Sequence, residues 1–414
     1  MGQDHSKSKE EKVQQRHVKG DATTSSSNRE AAHVDSRIDE AFRRLAAGDA
    51  YIHYKRLVEL FGGDLAESLW KHFTGDKPHH EAMTHEEFAR HALPLVGTST
   101  DIFVRMCLSS LEHLIKICSD AAGAAAVEGD EPFIAALVKD MTSGGSSVNA
   151  VCDWRRSVCP NLCQAAHSLV GHHFMGYELN TRDYASDILT PLQMWFLQCC
   201  LPQDYFPAKD KKEEALATHW TPLYSSAQQG ISTNRFEACV FGYKGPTVTI
   251  FKLADKRTLA IATDQEWRHS GKRFGGPATT LLLLEPKIQK HEAANSIYCN
   301  LKLRSEALGI SFLEHVKIDK ELSDVLEIET WGCSGAKTLQ EQQKLKQWQQ
   351  QQAERNKRVP LPGTWDDNPD KTILEMAGFQ FSNERKLMEM EAAHNEQSSS
   401  AAPCISRSMA KDPW

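Results

Sequence analysis

Several groups of side chains in this 414-residue sequence have the types and spacing to do chemistry. The first would be a calcium loop. A twelve-residue register places Asp76 at position 1, Met83 at the hydrophobic position 8 and Glu87 at the bidentate position 12. Positions 3 and 5 are then Pro78 and His80, and Glu81 falls where the sharp turn needs glycine. Calcium takes six or more oxygens, so this loop is expected to be scaffolding without calcium. An earlier register, through Ile52, puts Leu45 at position 1 and is poorer still. The second group is Cys152, Cys159 and Cys163 with His167, His172 and His173. Its C-x₆-C-x₃-C spacing lacks the short paired knuckles of zinc modules, and Trp154, Leu162 and Leu169 around it read as core. Buried thiols beside surface histidines are expected, and no metal. Gly271–Gly276 carries a lysine among glycines, but no Ser/Thr follows and no phosphate-loop frame precedes it. His79-His80 and Asp366-Asp367 lie in polar segments and read as solvated pairs. Cys239 and Cys299 are the thiols that a redox enzyme would use, yet apolar neighbours raise a thiol pKa and quench its reactivity. No nucleophile, base and oxyanion hole assemble, so the chain is expected not to be an enzyme and to need no cofactor.

Covalent lipid is a separate matter. Met1-Gly2-Gln3-Asp4-His5-Ser6 fits the acceptor pattern for N-myristoylation, with Gly2 as the acyl acceptor; the alternative is a chance match in a polar tail. One acyl chain binds membrane with an association constant of only about 10⁴ M⁻¹. The basic residues that follow (Lys7, Lys9, Lys12, Arg16, Lys19) are diluted by Asp4, Glu10 and Glu11, so they are a weak second anchor. A protein partner is therefore expected to supply the second attachment.

Composition narrows the setting. A net charge of −7 argues against nucleic acid as the main partner. No apolar run reaches spanning length, and no secretory signal is evident. Eleven cysteines scattered through a chain of this length fit reduced thiols in the cytosol.

The elements that would position these groups fall into two halves. Residues 36–205 read as helical: Ile38, Phe42 and Leu45 share one face, as do Leu65, Leu69, Trp70 and Phe73, and Ile102 through Ile117 read as one further helix. A helix after Thr190-Pro191 sets Leu192, Trp195, Phe196 and Cys199 on one face. Beyond Leu223 the period becomes that of strands, at 247–251, 259–263, 279–284 and 325–331. In the last of these, Leu326 and Ile328 alternate with Glu327 and Glu329, which predicts one wet face. A Gln/Lys-rich helix over 337–358 has only Leu339, Leu345 and Trp348 as apolar residues and reads as solvated. An amphipathic stretch over 370–393 carries Ile373, Leu374, Ala377, Phe381, Leu387 and Met388, a candidate helix-in-groove contact for a partner; packing back on the protein's own domains is the alternative.

The β-rich block resembles the TLDc family. The residues that carry the likeness are Leu223-Tyr224-Ser225-Ser226, Gly230-Ile231-Ser232, Phe236, Lys244-Gly245-Pro246-Thr247-Val248, Trp267, Phe274-Gly275, the strand 281–284 with Pro286 and Lys287, Tyr298-Cys299, Leu308-Gly309-Ile310 and Glu329-Thr330-Trp331-Gly332. The sequence departs from the family pattern after Gly309, which lacks a glycine cluster, and at Gly275-Gly276-Pro277. The order of parts is similar to an mTOR-associated lysosomal subgroup of the EAK type. What the resemblance implies is an α+β protein: a myristoylated disordered tether over 1–35, an EF-hand-like helical domain over 36–205, an antiparallel β-sandwich TLDc domain over 220–334, C-terminal helices over 337–393 and a disordered tail over 394–414. It further implies a non-enzymatic adaptor on the cytoplasmic face of the lysosomal membrane, binding the vacuolar proton pump (V-ATPase) and mTOR signalling components. The alternatives it leaves open are an oxidative-stress protective factor and a calcium-switched myristoyl protein.

Overall fold

The computed structural model describes residues 36–75, 77–179, 181–206, 220–302, 307–358, 369–378, 387–388 and 390–391. Gly2, Asp76, Asp366, Asp367 and Phe381 lie outside the described residues. The chain divides into two units, residues up to Leu345 and residues from Lys346 on.

The first unit begins with helix α1 (36–46), followed by β1 (Ile52–His53), α2 (Tyr54–Phe61), α3 (Gly63–Thr74), β2 (Ala82–Met83) and α4 (His85–Leu95). The predicted faces of α1 and α3 are buried, Ile38, Phe42 and Leu45 on one and Leu65, Leu69, Trp70 and Phe73 on the other. Phe88 stands between Phe42, Phe73 and Phe174, with ring centroids 5.8, 5.1 and 5.2 Å away, and so ties α1, α3 and α4 to a later helix. The two inter-helix loops meet in a short antiparallel ladder, Ile52 opposite Met83 and His53 opposite Ala82. Thr84 starts α4 with a reciprocal capping box to Glu87.

Five more helices complete this half: α5 (Asp101–Cys107), α6 (Leu111–Ala122), α7 (Glu131–Met141), α8 (Val148–Ser157) and α9 (Gln164–Met175). The single helix expected from Ile102 to Ile117 is two. Ser110 breaks it, its hydroxyl accepting from the His113 amide to open α6.

Helix α10 (Pro191–Cys200) differs in kind: Leu192, Met194, Trp195, Phe196, Leu197, Cys199 and Cys200 are all buried. A helix apolar on every side lies between two layers rather than on a surface. The second layer is a six-stranded antiparallel sheet of β3 (Thr221–Ser225), β11 (Val325–Gly332), β4 (Thr247–Leu253), β5 (Thr258–Thr263), β6 (Thr280–Glu285) and β7 (Gln289–Glu292), in that spatial order. Strand β5 shows why both faces are dry. Ala260 and Ala262 join the core shared with the helices, while Leu259 and Ile261 join a second core on the opposite face. That opposite face is covered by a three-stranded sheet of β8 (Ile297–Asn300), β9 (Gly309–Phe312) and β10 (Val316–Ile318), and by α12 (Thr233–Val240), which follows the short α11 (Ser226–Gln229).

The single wet face expected for 325–331 is corrected. Leu326 is exposed, whereas Ile328, Glu329 and Thr330 are buried. The register against β4 shifts between Val325 and Glu327, and such a bulge re-aims the side chains on either side of it. Being central between β3 and β4, β11 then buries both faces.

Two glycines of the strand ends serve one tyrosine. A Cβ at Gly332 would stand 2.6 Å from Tyr243 Cζ, and one at Gly245 2.9 Å from Tyr243 Cε1. The Tyr243 hydroxyl donates to the Ser334 carbonyl and accepts from the Ser334 amide, each at 2.9 Å, closing the strand end.

Helix α13 (Ala336–Arg358) leaves Trp348 exposed, as its sparse apolar stripe requires. Its buried residue is Gln342, whose amide donates to the Cys239 and Phe241 carbonyls at 2.9 and 3.0 Å. These are orphan acceptors at the C-terminal end of α12. Gln342→Ala is expected to cost about 1–3 kcal/mol, because the carbonyls lose their donor; an unchanged urea midpoint would refute this.

In the second unit, α14 (Pro369–Met376) presents Ile373 at 63% and Met376 at 85% exposure. Leu387, Met388 and Met390 are also exposed, Leu374 is half-buried and Ala377 exposed. No helix among the described residues is long and apolar enough to cross a membrane.

Candidate functional site

The loop before α4 is organised around an ammonium group. Lys77 Nζ donates to the Ala82 carbonyl at 2.7 Å and faces Glu87 Oε1 and Oε2 at 3.1 and 3.2 Å. Glu87 also accepts from the Thr84 amide and hydroxyl at 2.8 and 3.0 Å. Burial works against its ionisation, but the Thr84 amide and Lys77 outweigh burial and hold its pKa below the usual carboxylate value. His79 is exposed, as expected, and there stacks on Tyr54 with centroids 3.8 Å apart and pairs with Glu67 at 2.9 Å.

The cysteine and histidine cluster separates into unlike parts. Cys152, Cys159 and Cys163 are buried. Cys163 Sγ lies 3.9 Å from Cys118 Sγ. The histidine rings look elsewhere: His167 Nε2 is 2.8 Å from the Gly97 carbonyl, and His172 Nδ1 is 2.6 Å from the Tyr177 carbonyl. Among the described residues no three His, Cys, Asp or Glu side chains are placed to hold a metal ion.

The redox candidates are equally constrained. Burial, with Glu237 nearby, pushes the Cys299 thiol up to about 12. Nearby His269 accepts from the Leu301 amide at Nδ1, 3.3 Å away, and its Nε2 lies 3.3 Å from Glu237. Cys239 is half-buried, with Sγ 3.9 Å from Gln229 Oε1. A thiol reagent at pH 8 is therefore expected to modify Cys299 only after unfolding; modification of the native protein at the rate of a free thiol would contradict this.

The Gly271–Gly276 segment is a backbone loop folded on a carboxylate. Asp264 Oδ1 accepts from the Gly276 amide at 2.7 Å and from the Thr279 hydroxyl at 3.2 Å. A side chain at Gly276 would collide with that carboxylate.

A group of buried and half-buried polar side chains sits where residues 181–206 meet the helices and the sheet. Asp130 is fully buried and accepts from the Thr190 hydroxyl at 2.7 Å. Gln193 Nε2 donates to Glu285 Oε1 at 3.0 Å, and Thr258 donates to Glu285 Oε2 at 2.7 Å. Tyr205 donates to the Ala278 carbonyl at 2.9 Å. Glu329 is buried on β11 and accepts from the Ser186 hydroxyl at 2.5 Å, and neighbouring Asp187 accepts from the Ser225 hydroxyl at 2.6 Å. Burial and Asp187 together raise the Glu329 pKa, against the hydrogen bonds. A buried polar network of this kind fixes one arrangement of segments. It therefore staples 181–206 to the sheet. Sequence reasoning left Asp130, Glu285 and Gln342 unremarked; the one available signal for this junction was a helix apolar on all sides.

In the second unit Ile373, Leu387 and Met388 of the predicted stripe are exposed, with Met376 and Met390 beside them in the sequence; single exposed apolar side chains, among them Tyr51 and Leu326, also occur in the first unit.

Comparison with known proteins places these features. Residues 183–334 match the TLDc domain family, a span that takes in the 183–206 segment stapled to the sheet. A protein of Lachancea thermotolerans named "Restriction of telomere capping protein 5" is 40% identical over 310 residues, covering 55% of this chain and 55% of the relative. Proteins of the same name from Colletotrichum graminicola and Zygosaccharomyces rouxii are 24% identical over 240 residues and 22% over 246. They cover 38% and 39% of this chain and 40% and 44% of their own length, so the chain spans about half or less of these relatives. The TLDc resemblance thus holds for 183–334, while these relatives do not carry the name of the EAK-type subgroup. They also correct the functional expectation. A lysosomal adaptor for the V-ATPase in mTOR signalling, or an oxidative-stress or calcium-switch factor in its place, is not what they are named for; their name points to telomere capping.

Proposed function

We propose that the chain is a non-catalytic interaction protein acting in the restriction of telomere capping for which its fungal relatives are named, with its TLDc region as scaffold and its C-terminal apolar stripe as the contact. The observation that carries this is the 40% identity to the Lachancea thermotolerans relative of that name. The chemistry of the described residues supports the non-catalytic part. Cys299 is buried, and burial pushes its thiol up to about 12, away from the thiolate that redox chemistry uses. The working surface in this reading is the stripe of Ile373, Leu374, Ala377, Phe381, Leu387 and Met388, extended by Met376 and Met390. Of these, Ile373, Ala377, Leu387 and Met388 with Met376 and Met390 are exposed, and exposed apolar side chains suit docking into an apolar groove.

The test is an Ile373→Asp/Met388→Asp variant. Both residues are exposed, so stability is expected to change by less than about 0.5 kcal/mol. Chemical crosslinking in cells, read by mass spectrometry, is expected to lose the partner crosslinks seen with the unsubstituted chain. Retention of the same crosslinks would remove the stripe from the account.

Two finer readings belong with this proposal. Residues 36–95 are read as an EF-hand-like pair, supported by the Ile52–Met83 ladder that joins two helix–loop–helix units at position 8 of each register. Gly2 is read as a myristate acceptor on its flanking residues; an intact mass without the acyl group, in cells able to acylate, would refute this.

A further inference from the structure

In the register of the twelve-residue loop, calcium is held by the backbone carbonyl of position 7 and by both oxygens of the position-12 carboxylate, among other ligands. Those positions here are Ala82 and Glu87. Both are described, and both are already engaged by one cation. Lys77 Nζ is 2.7 Å from the Ala82 carbonyl oxygen and 3.1 and 3.2 Å from the two Glu87 oxygens. An ammonium has three donors, and these three oxygens match them.

We propose that the Lys77 ammonium is the internal cation of this loop, standing where a calcium ion would bind and holding the paired loops closed without metal. The proposal rests on the EF-hand-like reading of residues 36–95 and uses no property of Asp76.

Three further features fit. The ring nitrogen of buried Trp70 donates to the Lys77 carbonyl at 2.8 Å, which fixes the backbone from which the ammonium reaches inward. Thr84 orients the Glu87 carboxylate through its amide and hydroxyl, so the acceptor pair is set before any cation arrives. Pro78 and His80 add no carboxylate at positions 3 and 5, and the Lys77 ammonium pairs directly with the Glu87 carboxylate. A fully exposed ion pair contributes little, because solvent screens it. Here the side chains are 20% and 27% exposed, and Ala82 belongs to the β1–β2 ladder itself. A loop closed in this way is paired at every calcium concentration, so the helices cannot be switched by calcium.

The experiment compares the full chain with Lys77→Gln and with Lys77→Gln/Glu87→Gln. The probe is terbium(III), a calcium surrogate whose emission is excited through the adjoining Trp70. The unsubstituted chain is expected to show no saturable emission. Lys77→Gln is expected to gain saturable emission, half-maximal on the order of 10⁻⁴–10⁻³ M, displaced by calcium and lost in the double variant. Equal emission from the unsubstituted chain and Lys77→Gln, whether both bind or neither does, overturns the proposal. So does saturable emission from the unsubstituted chain, a result that does not depend on the variant folding. Amide exchange at Ile52 and Met83 in the unsubstituted chain separates the two readings. Protected ladder amides with no gain in Lys77→Gln sink the internal cation alone; freely exchanging ladder amides sink the EF-hand-like pair as well.

Discussion

Trp267→Ala is expected to destabilise the sheet-containing region by about 3–5 kcal/mol, the range for emptying a buried tryptophan site. The indole is 1% exposed in the core between the two sheets, with Phe236 and Phe274 edge-on at 5.7 and 6.2 Å. Its ring nitrogen donates to the buried Thr247 hydroxyl at 2.9 Å. Thr247 opens β4 beside β11, so the indole couples the loop after β5 to the centre of the large sheet. Trp267→Phe keeps most of the volume and loses only the donor, so it should recover most of the stability, leaving about 1–3 kcal/mol for the unpaired hydroxyl. Urea unfolding at pH 7 measures both. A loss below about 1.5 kcal/mol for Trp267→Ala, the level of a volume-conserving swap, would contradict this packing.

Glu329 should show two opposite effects. Glu329→Ala removes the acceptor for the half-buried Ser186 hydroxyl and opens a gap on β11, with about 1–3 kcal/mol expected in all. Glu329→Gln retains an acceptor and removes a charge that burial and Asp187 disfavour. The sign follows from linkage: a carboxyl whose folded pKa lies above its ordinary 4.5 is protonated more readily in the folded state. Its favourable contribution is complete below the ordinary value and is lost as pH rises through the elevated one. Glu329→Gln is therefore expected to match the unsubstituted chain near pH 4 and to exceed it at pH 7. Urea midpoints of the two proteins at both pH values decide the matter. A larger advantage for Glu329→Gln at the lower pH would reverse the argument.

Strands β4, β5, β6 and β11 were legible because their residue types repeat locally, whereas the shorter β3 and β7–β10 were not. Thr247–Leu253 and Thr258–Thr263 extend the predicted runs by one or two residues. The burial of Glu329 was not legible, because it comes from a segment about 140 positions earlier, Ser186 and Asp187, covering the second face of a central strand. Nor was the role of Gln342 visible, since it sits in a glutamine-rich helix and is distinguished only by the carbonyls it meets about a hundred positions away. The Lys77 arrangement is a similar case. The spacing of Pro78, His80 and Glu87 spoke against calcium, but only the geometry shows which group engages the Ala82 carbonyl and the Glu87 carboxylate. Of the candidate stripe, Ile373, Leu387 and Met388 are exposed, Leu374 is half-buried and Phe381 lies outside the described residues.

The central claim is that this chain restricts telomere capping by binding and not by catalysis. The most direct measurement is complementation in a fungal strain that lacks its telomere-capping-restriction protein and carries a sensitised capping defect. The account predicts that the unsubstituted chain and a Cys239→Ser/Cys299→Ser variant restore the phenotype equally, and that Ile373→Asp/Met388→Asp does not. Failure of the unsubstituted chain, or rescue that depends on the thiols and ignores the stripe, would contradict it.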